Sequence, residues 1–277
     1  MKKTVFGLLV LSLLGVFGCS WLVPMPGQEG YVKIVIHKSA LAPESFDPAY
    51  IPANAEYVRV RVWHKVTGVN VVETAQFLGD TATIELRIPA NTGYTVDAVA
   101  YVVTGFPAYG FLLTGGRLKN VDVLAGQTTQ ANLMLDVWSA TFSGDTQITS
   151  GEVYSVTAQI SHKDGMFDFF RTGAAFLLAS LNSYQTLSAT LPAPVATGTI
   201  SQGKITISAT APDVDTQSTL YCSIFAQLRD EWRDPDVTGY VLVLEIPNRQ
   251  LGERLHEIIV NPPEGGIIIG ISQKEDE

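Results

Sequence analysis

The sequence has little cysteine and little histidine, the residues on which many catalytic and metal-binding sites depend. It contains two cysteines, Cys19 and Cys222, among 277 residues. Two cysteines cannot build the disulfide framework of a small secreted scaffold, so a body of this length must be held by core burial. The histidines are scattered, at His37, His64, His162 and His256.

Short motifs that carry known chemistry are also absent from the sequence. We find no G-x-S-x-G, H-E-x-x-H, C-x-x-C, Walker A or G-x-G-x-x-G pattern. His256 and Glu257 lack the second histidine that a zinc-binding helix needs. We therefore predict a protein that is not an enzyme and needs no metal or cofactor. A hydrolase whose catalytic residues meet only in space stays open as an alternative.

Positive charge is scarce as well. Lys and Arg number 18 against 27 Asp and Glu, which gives a formal net charge of −9. An acidic body is repelled by the phosphates of nucleic acids and by anionic lipid surfaces, so we expect neither as a partner. Charged residues make up only 16% of the chain. The many β-branched residues among the remainder favour sheet over helix.

An apolar run lies close to the N-terminus. Lys2 and Lys3 precede it, and it extends over residues 5–17 with a single serine inside. This is the length of the hydrophobic region of a signal peptide, and it is too short for a helix that spans about 30 Å of bilayer. Gly18 and Cys19 follow the run directly.

The segment Val16-Phe17-Gly18-Cys19 resembles the lipobox of bacterial lipoproteins, although an aromatic residue is less common at its variable position. The resemblance implies that residues 1–18 are a cleaved signal peptide and that Cys19 is lipidated. Acyl chains, palmitate among them, would then anchor residues 19–30 as a tether to the membrane. Ser20 resembles the signal for sorting to the outer membrane of Gram-negative bacteria. The alternative is an ordinary secretory signal in which the cysteine is incidental.

From Tyr31 onward, apolar and polar residues alternate with a period of two. This pattern is typical of strands with one buried and one solvated face. Short strands at regular spacing with glycine-containing turns between them indicate a sandwich, so we predict an all-β fold. In this first part the predicted strands are 31–37, 58–63, 70–77, 82–88, 94–103, 117–124 and 128–137.

Two phrases of the first part resemble transthyretin-like and collagen-adhesin B-type surface domains. They are Ile88-Pro89-Ala90-Asn91-Thr92-Gly93-Tyr94-Thr95-Val96 and Val121-Asp122-Val123-Leu124-Ala125-Gly126-Gln127-Thr128-Thr129. The resemblance implies a β-sandwich domain over residues 31–137, a kind of domain that serves equally as spacer, adhesin stalk or binding module. Some such domains form a Lys–Asn isopeptide bond. Lys33 and Asn132 alternate with apolar residues, which predicts that both face solvent instead.

A second β-sandwich domain is predicted for residues 138–277. A turn at 149–152 leads into alternating residues 153–160, similar to the opening strand of immunoglobulin-like modules, although no Cys…Trp…Cys signature is present. The apolar run 174–181 fits either a strand or a short helix. The other predicted elements are a hairpin over 197–208 and strands at 220–228, 239–246, 256–260 and 266–272.

Two loops contain residue types that bind ligands. Segment 105–111 holds aromatic residues whose ring faces could stack on sugars or anchor a protein partner. The alternative is that they fill the core or the contact with the second domain. Segment 230–236 combines a tryptophan with clustered carboxylates, which could hold Ca²⁺ although their spacing matches no calcium loop; solvated turn residues are the alternative. The candidate ligand-binding residues are Phe106, Tyr109, Phe111 and Trp232.

Together these observations predict a lipid-anchored cell-envelope protein of two consecutive β-sandwich domains, with a structural or binding role. Its partners would be the membrane, through the lipid on Cys19, and an envelope protein or glycan. A glycan-binding or adhesin-like surface protein is the alternative. Cys222, alone on an apolar strand, is expected to be a small buried hydrophobe.

Overall fold

The structure, a computed structural model, describes residues 28–38, 51–103, 109–163, 165–178, 194–233 and 241–263. The described chain is all-β, as predicted, with 3₁₀ turns at Met166–Phe169, Asp230–Trp232 and Arg249–Leu251. Its strands are β1 Glu29–His37, β2 Tyr57–Trp63, β3 Asn70–Gln76, β4 Thr81–Pro89, β5 Asn91–Val103, β6 Tyr109–Val123, β7 Thr128–Ala131, β8 Asp136–Val137, β9 Ser139–Gly144, β10 Gln147–Thr149, β11 Val153–Ser161, β12 Phe170–Leu178, β13 Ala196–Thr199, β14 Lys204–Thr210, β15 Ser218–Leu228, β16 Val241–Ile246 and β17 His256–Asn261.

The strands form a large central sheet and two small outer sheets. The first outer sheet has the order β4-β1-β7, and the second has the order β14-β11-β9. The central sheet follows the order β10-β17-β15-β16-β6-β5-β2-β3, with β12 and β13 beside β15 and with β8 beside β6. In the described ranges, no helix combines the length and the apolarity that crossing a membrane requires.

The outer sheets pack on opposite faces of the central sheet and so create two cores. In β5, Ala98 and Ala100 belong to the core beneath the first outer sheet, whereas Val99 and Tyr101 belong to the core beneath the second. Successive side chains of a strand point to opposite faces, so the middle of the sheet is buried on both sides. This explains why β5, β6, β15 and β16 contain nearly continuous apolar runs instead of an alternating pattern.

Strands with one solvated face match the sequence analysis closely. The alternation of β1, β4 and β11 is confirmed, with every second side chain buried. Asn132 is exposed on the surface, and Lys33 is paired across the strands with exposed Glu85. Both Lys33 and Asn132 therefore lie on the outer side, where the isopeptide chemistry of a core is not available to them.

Four expectations about strands change. The strand predicted over 128–137 is two strands, β7 in the first outer sheet and β8 beside β6. The strand predicted to begin at residue 117 begins at Tyr109, because its first part is buried on both faces and shows no alternation. The apolar run 174–181 is a strand as far as Leu178. The predicted hairpin 197–208 is wrong: β13 pairs with β12 in the central sheet, whereas β14 pairs with β11 in the second outer sheet. The chain passes from one sheet to the other at the turn containing Gln202 and Gly203, both with positive φ.

Strands from both sides of residue 138 share the central sheet. The link is the parallel pairing of β6 with β16, in which Tyr109 lies opposite Val241 and Phe111 opposite Val243. Trp138 itself is buried in the core beneath the second outer sheet. The division into residues 31–137 and 138–277 stays a prediction. For the described residues, the two halves meet through a continuous sheet.

Candidate functional site

Among the described residues, the buried Arg59 and Asp97 lie in what we call the seam, whereas the buried Glu245 pairs with Arg249 elsewhere. The seam is the contact between strands β2, β5 and β6 and two 3₁₀ turns of the second half, Met166–Phe169 and Asp230–Trp232. It forms because β2 alternates: its valines enter the first core, and the side chains between them face the opposite side. Those facing the seam are Tyr57, Arg59, Arg61 and Trp63.

An ion pair between Asp97 and Arg117 lies at the centre of the seam. The two residues are direct cross-strand neighbours on β5 and β6. Arg117 donates from Nε to Oδ1 of Asp97 at 2.6 Å and from Nη2 to Oδ2 at 3.1 Å. The indole Nε1 of Trp63 donates to the same Oδ2 at 2.8 Å. Asp97 is fully buried, and these three donors replace the water that its carboxylate gives up.

Arg117 also reaches the second half of the chain. Its Nη1 donates to both carboxylate oxygens of Asp168, at 3.1 and 3.0 Å, and its guanidinium lies 4.8 Å from the ring centre of Phe169. Burial alone would lower the pKa of Arg117, but the hydrogen bonds and charges of Asp97 and Asp168 raise it. The side chain therefore remains charged and ties β5 and β6 to the turn at Met166–Phe169.

Arg59 lies on the same face but has a different set of partners. It is only 4% exposed. Its Nε donates to Oγ1 of Thr74 at 3.0 Å, and its Nη1 donates to the carbonyl oxygen of Trp232 at 3.3 Å. The guanidinium carbon lies 5.7 Å from the ring centre of Tyr101. Nη2 is buried and makes no hydrogen bond, and the same is true of the indole Nε1 of Trp232.

Arg61 occupies the more open end of the seam. Its Nε donates to Oδ1 of Asn70 at 2.7 Å, and its guanidinium lies over the ring of Trp63 at 5.0 Å. Burial lowers the pKa of Arg61 from its ordinary value, with acidic neighbours, Asp97 first, opposing the shift. Asn70 in turn donates from Nδ2 to the carbonyl of Glu231 at 3.2 Å, which connects the second turn to the start of β3.

Further polar contacts join the halves away from the seam. Asn248, which is buried, donates from Nδ2 to the carbonyl of Leu112 at 3.1 Å. The Nε2 atom of His162 lies 3.1 Å from the carbonyl oxygen of Gly115. Gly115 is needed at this point because a Cβ there would lie 2.2 Å from the indole ring of Trp138. The arrangement is that of a closely packed junction between the two halves.

The aromatic residues singled out from the sequence are mostly buried. Phe111 is fully buried and packs edge-to-face on Phe225, with ring centres 5.5 Å apart. Tyr109 is half-buried against the same ring at 5.9 Å. Trp232 is buried in the seam, 4.8 Å from Phe169. The burial of Phe111 agrees with the alternative that the aromatic residues of 105–111 fill the core. The burial of Trp232 shows that it is neither an open ring face nor a solvated turn residue. Whether any of them contacts a ligand stays a prediction.

The other candidates from the sequence have different outcomes. Cys19 and Phe106 lie outside the described residues. Cys222 is buried as expected, and burial raises the pKa of its thiol to about 12, so a reactive thiolate is disfavoured. Asp230 forms an ion pair with Arg171. Among the described residues, His, Cys, Asp and Glu side chains form no group of three that could hold a metal ion.

Sequence reasoning missed Asp97 and Arg117. One signal was present: Asp97 is the only charged residue in the otherwise apolar and small-residue stretch 94–103. A carboxylate in a strand that is buried on both faces requires a cationic partner. The sequence did not show which arginine would supply it.

No family model matches the chain, and no curated protein matches it. Among solved structures, one match is to a chain described as "Marsupial T cell receptor", with 10% sequence identity and a TM-score of 0.33. The match covers 85% of this chain and 74% of that chain. Similarity at this level carries no argument about function, so the proposals below depend on the residues of this chain alone.

Proposed function

We propose that this chain is a lipid-anchored protein of the cell envelope with a non-enzymatic structural or binding role. The anchor is supported by residues 1–20, in which a basic start, an apolar run and the segment Val16-Phe17-Gly18-Cys19 follow one another as in bacterial lipoproteins. Ser20 favours the outer membrane if the organism is Gram-negative. Two sandwich modules, the first transthyretin-like and the second immunoglobulin-like, would follow the tether at 19–30.

One observation supports the structural part of this proposal: ion pairs in the seam join the two halves of the chain. Asp97, Arg117 and Asp168 are engaged with one another across the two halves. Buried charge pairs of this kind are most useful for fixing one arrangement of the packed elements. A body held at one geometry suits a spacer or a presenting scaffold at a membrane surface. The burial of Phe111 and Trp232 removes support for a glycan platform built on those rings.

The anchor is tested with the two cysteines of the chain. Cys19→Ala should move the protein from the membrane fraction to the soluble fraction and abolish incorporation of radiolabelled palmitate. Cys222→Ala is the matched control, because that thiol is buried in the core, and it should leave fractionation and labelling unchanged. If the Cys19→Ala protein is processed and remains membrane-bound as before, the lipoprotein assignment is wrong.

A further inference from the structure

Arg59 is a buried cation whose charge has no counterion in the described structure. The ion pairs of the neighbouring arginines are formed by Arg117 with Asp97 and Asp168 and by Arg171 with Asp230. No carboxylate of the described residues lies within ion-pair distance of Arg59. Its hydrogen bonds go to the Thr74 hydroxyl and the Trp232 carbonyl, and the neutral hydroxyl of Tyr101 is a further polar neighbour. A guanidinium keeps its charge at all physiological pH values, so burial without a counterion is unfavourable.

Two hydrogen-bond donors are unused at this point. Nη2 of Arg59 and Nε1 of Trp232 are both buried and without a partner in the structure. They belong to two residues joined by one hydrogen bond, from Nη1 of Arg59 to the backbone carbonyl of Trp232. Unsatisfied buried donors are rare in folded proteins, and each one calls for an explanation. A bound oxyanion would supply the missing charge and an acceptor for Nη2 of Arg59.

We propose that Arg59 and the 3₁₀ turn Asp230–Trp232 form a binding site for a small oxyanion of the carboxylate or phosphate class. The planar guanidinium presents its donors in a geometry that suits both groups. The proposal names a ligand class for the binding role proposed above and rests on that role. Because both unused donors are shielded from solvent, the oxyanion must enter by a local movement of the turn away from β2.

The surroundings of the site favour a small, specific ligand over a polyanion. The whole chain carries a formal charge of −9, and the turn itself exposes Asp230 and Glu231. An extended polyanion would be repelled by these charges. A single carboxylate or phosphate group meets mainly Arg59, with Arg61 two residues along the same strand face. The chemistry therefore points to a ligand with one oxyanion group, presented on a small molecule or at the end of a chain.

The test measures binding to the full chain, purified in detergent, with sodium acetate and sodium phosphate as separate probes and sodium chloride at equal ionic strength as the reference. Acetate or phosphate should raise the melting temperature saturably and change the tryptophan fluorescence, because Trp232 lies at the site. The two probes distinguish a carboxylate ligand from a phosphate ligand.

Variants separate a site from a general salt effect. Arg59→Met should remove the saturable response, and Arg59→Lys should weaken it about tenfold, because the charge remains while the fork of donors is lost. Arg87→Met, which removes an exposed arginine of β4, should respond like the wild type. A response that is equal in wild type and Arg59→Lys, or no saturable response to either probe in the wild type, would overturn the proposal. Membrane fractionation of the same proteins tests the anchor independently, so one proposal can fail without the other.

Discussion

Arg117 and Arg59 lie on the same face of the central sheet and are both largely buried, yet their surroundings differ in kind. Arg117 has two carboxylate partners and sits between the two halves of the chain. Arg59 has a hydroxyl, a backbone carbonyl and an aromatic ring, and one of its nitrogens has no partner. In the described structure the charge of Arg117 is balanced by two carboxylates, so we assign this arrangement a structural role. The buried Nη2 of Arg59 has no hydrogen-bond partner, and an unsatisfied buried group of this kind is a place to look for a ligand.

The largest expected effect comes from breaking the complete arrangement. Arg117→Met leaves the fully buried Asp97 without its ion-pair partner, and removing one member of a buried pair costs about 3–5 kcal/mol. Urea denaturation followed by tryptophan fluorescence should show this loss in the free energy of unfolding. Arg87→Met, at an exposed ion pair, is the control and should change stability by less than about 1 kcal/mol.

A double variant decides whether the cost arises from the orphaned carboxylate. Asp97→Leu together with Arg117→Met removes both charges, and it should recover a large part of the stability lost by Arg117→Met alone. If the double variant is as unstable as the sum of the two single variants, Asp97 and Arg117 act independently. In that case the description of the seam as a coupled pair would be incorrect.

A smaller effect is expected for Trp63, whose indole also donates a hydrogen bond to the Asp97 carboxylate. Trp63→Phe keeps most of the ring but removes the Nε1–H that donates to Asp97 at 2.8 Å. A hydrogen bond to a charged group contributes roughly 1.5–3 kcal/mol, and we expect a loss in this range by the same urea titration. In the Asp97→Leu, Arg117→Met background the substitution should cost much less, because its acceptor is gone. An unchanged cost in that background would show that the ring matters through packing alone.

The sequence predicted the strands in which polar and apolar residues alternate in step with an exposed and a buried face. β1, β4 and β11 each have one solvated face, so polar residues such as Thr83 and Ser155 alternate with buried ones and reveal the strand. In the middle of the central sheet both faces are buried and this signal disappears. The sequence therefore predicts the start of β6 too late, and neither segment alone indicates its pairing with β16.

The site was less accessible to sequence reasoning than the fold. The alternation of β2 does place Arg59 and Arg61 on the face opposite its valines. What it cannot give is the partner: Thr74 is 15 residues from Arg59, and the Trp232 carbonyl is 173 residues away. The same holds for Arg117, which meets Asp97 across 20 residues and Asp168 across 51. Whether a buried arginine is satisfied is decided by these non-local contacts.

His256 extends the comparison to a half-buried side chain that, unlike arginine, can lose its positive charge. Its ring packs against Phe142 with centres 4.4 Å apart, and its Nε2 is buried without a hydrogen bond. Burial lowers the pKa of His256 below 6.5, opposed by a hydrogen bond with the backbone of Asp145. The folded state thus favours the neutral ring, a solution that Arg59 does not have because a guanidinium cannot lose its proton.

The smallest effect we predict follows from this lowered pKa of His256. The unfolded chain binds a proton at His256 near pH 6.5, whereas the folded chain binds it only at a lower pH. The contribution of the neutral ring to the free energy of unfolding is therefore fully present above about pH 6.5 and is lost as the pH falls through the folded pKa. Melting temperatures measured between about pH 7.5 and 5 should fall less steeply for His256→Phe than for the wild type. Val260→Ala, a cavity-forming change on the same strand, should lower the curve without altering its slope. Equal slopes for His256→Phe and wild type would mean that the His256 ring does not titrate in this range, and the contrast with Arg59 would then concern hydrogen bonding alone.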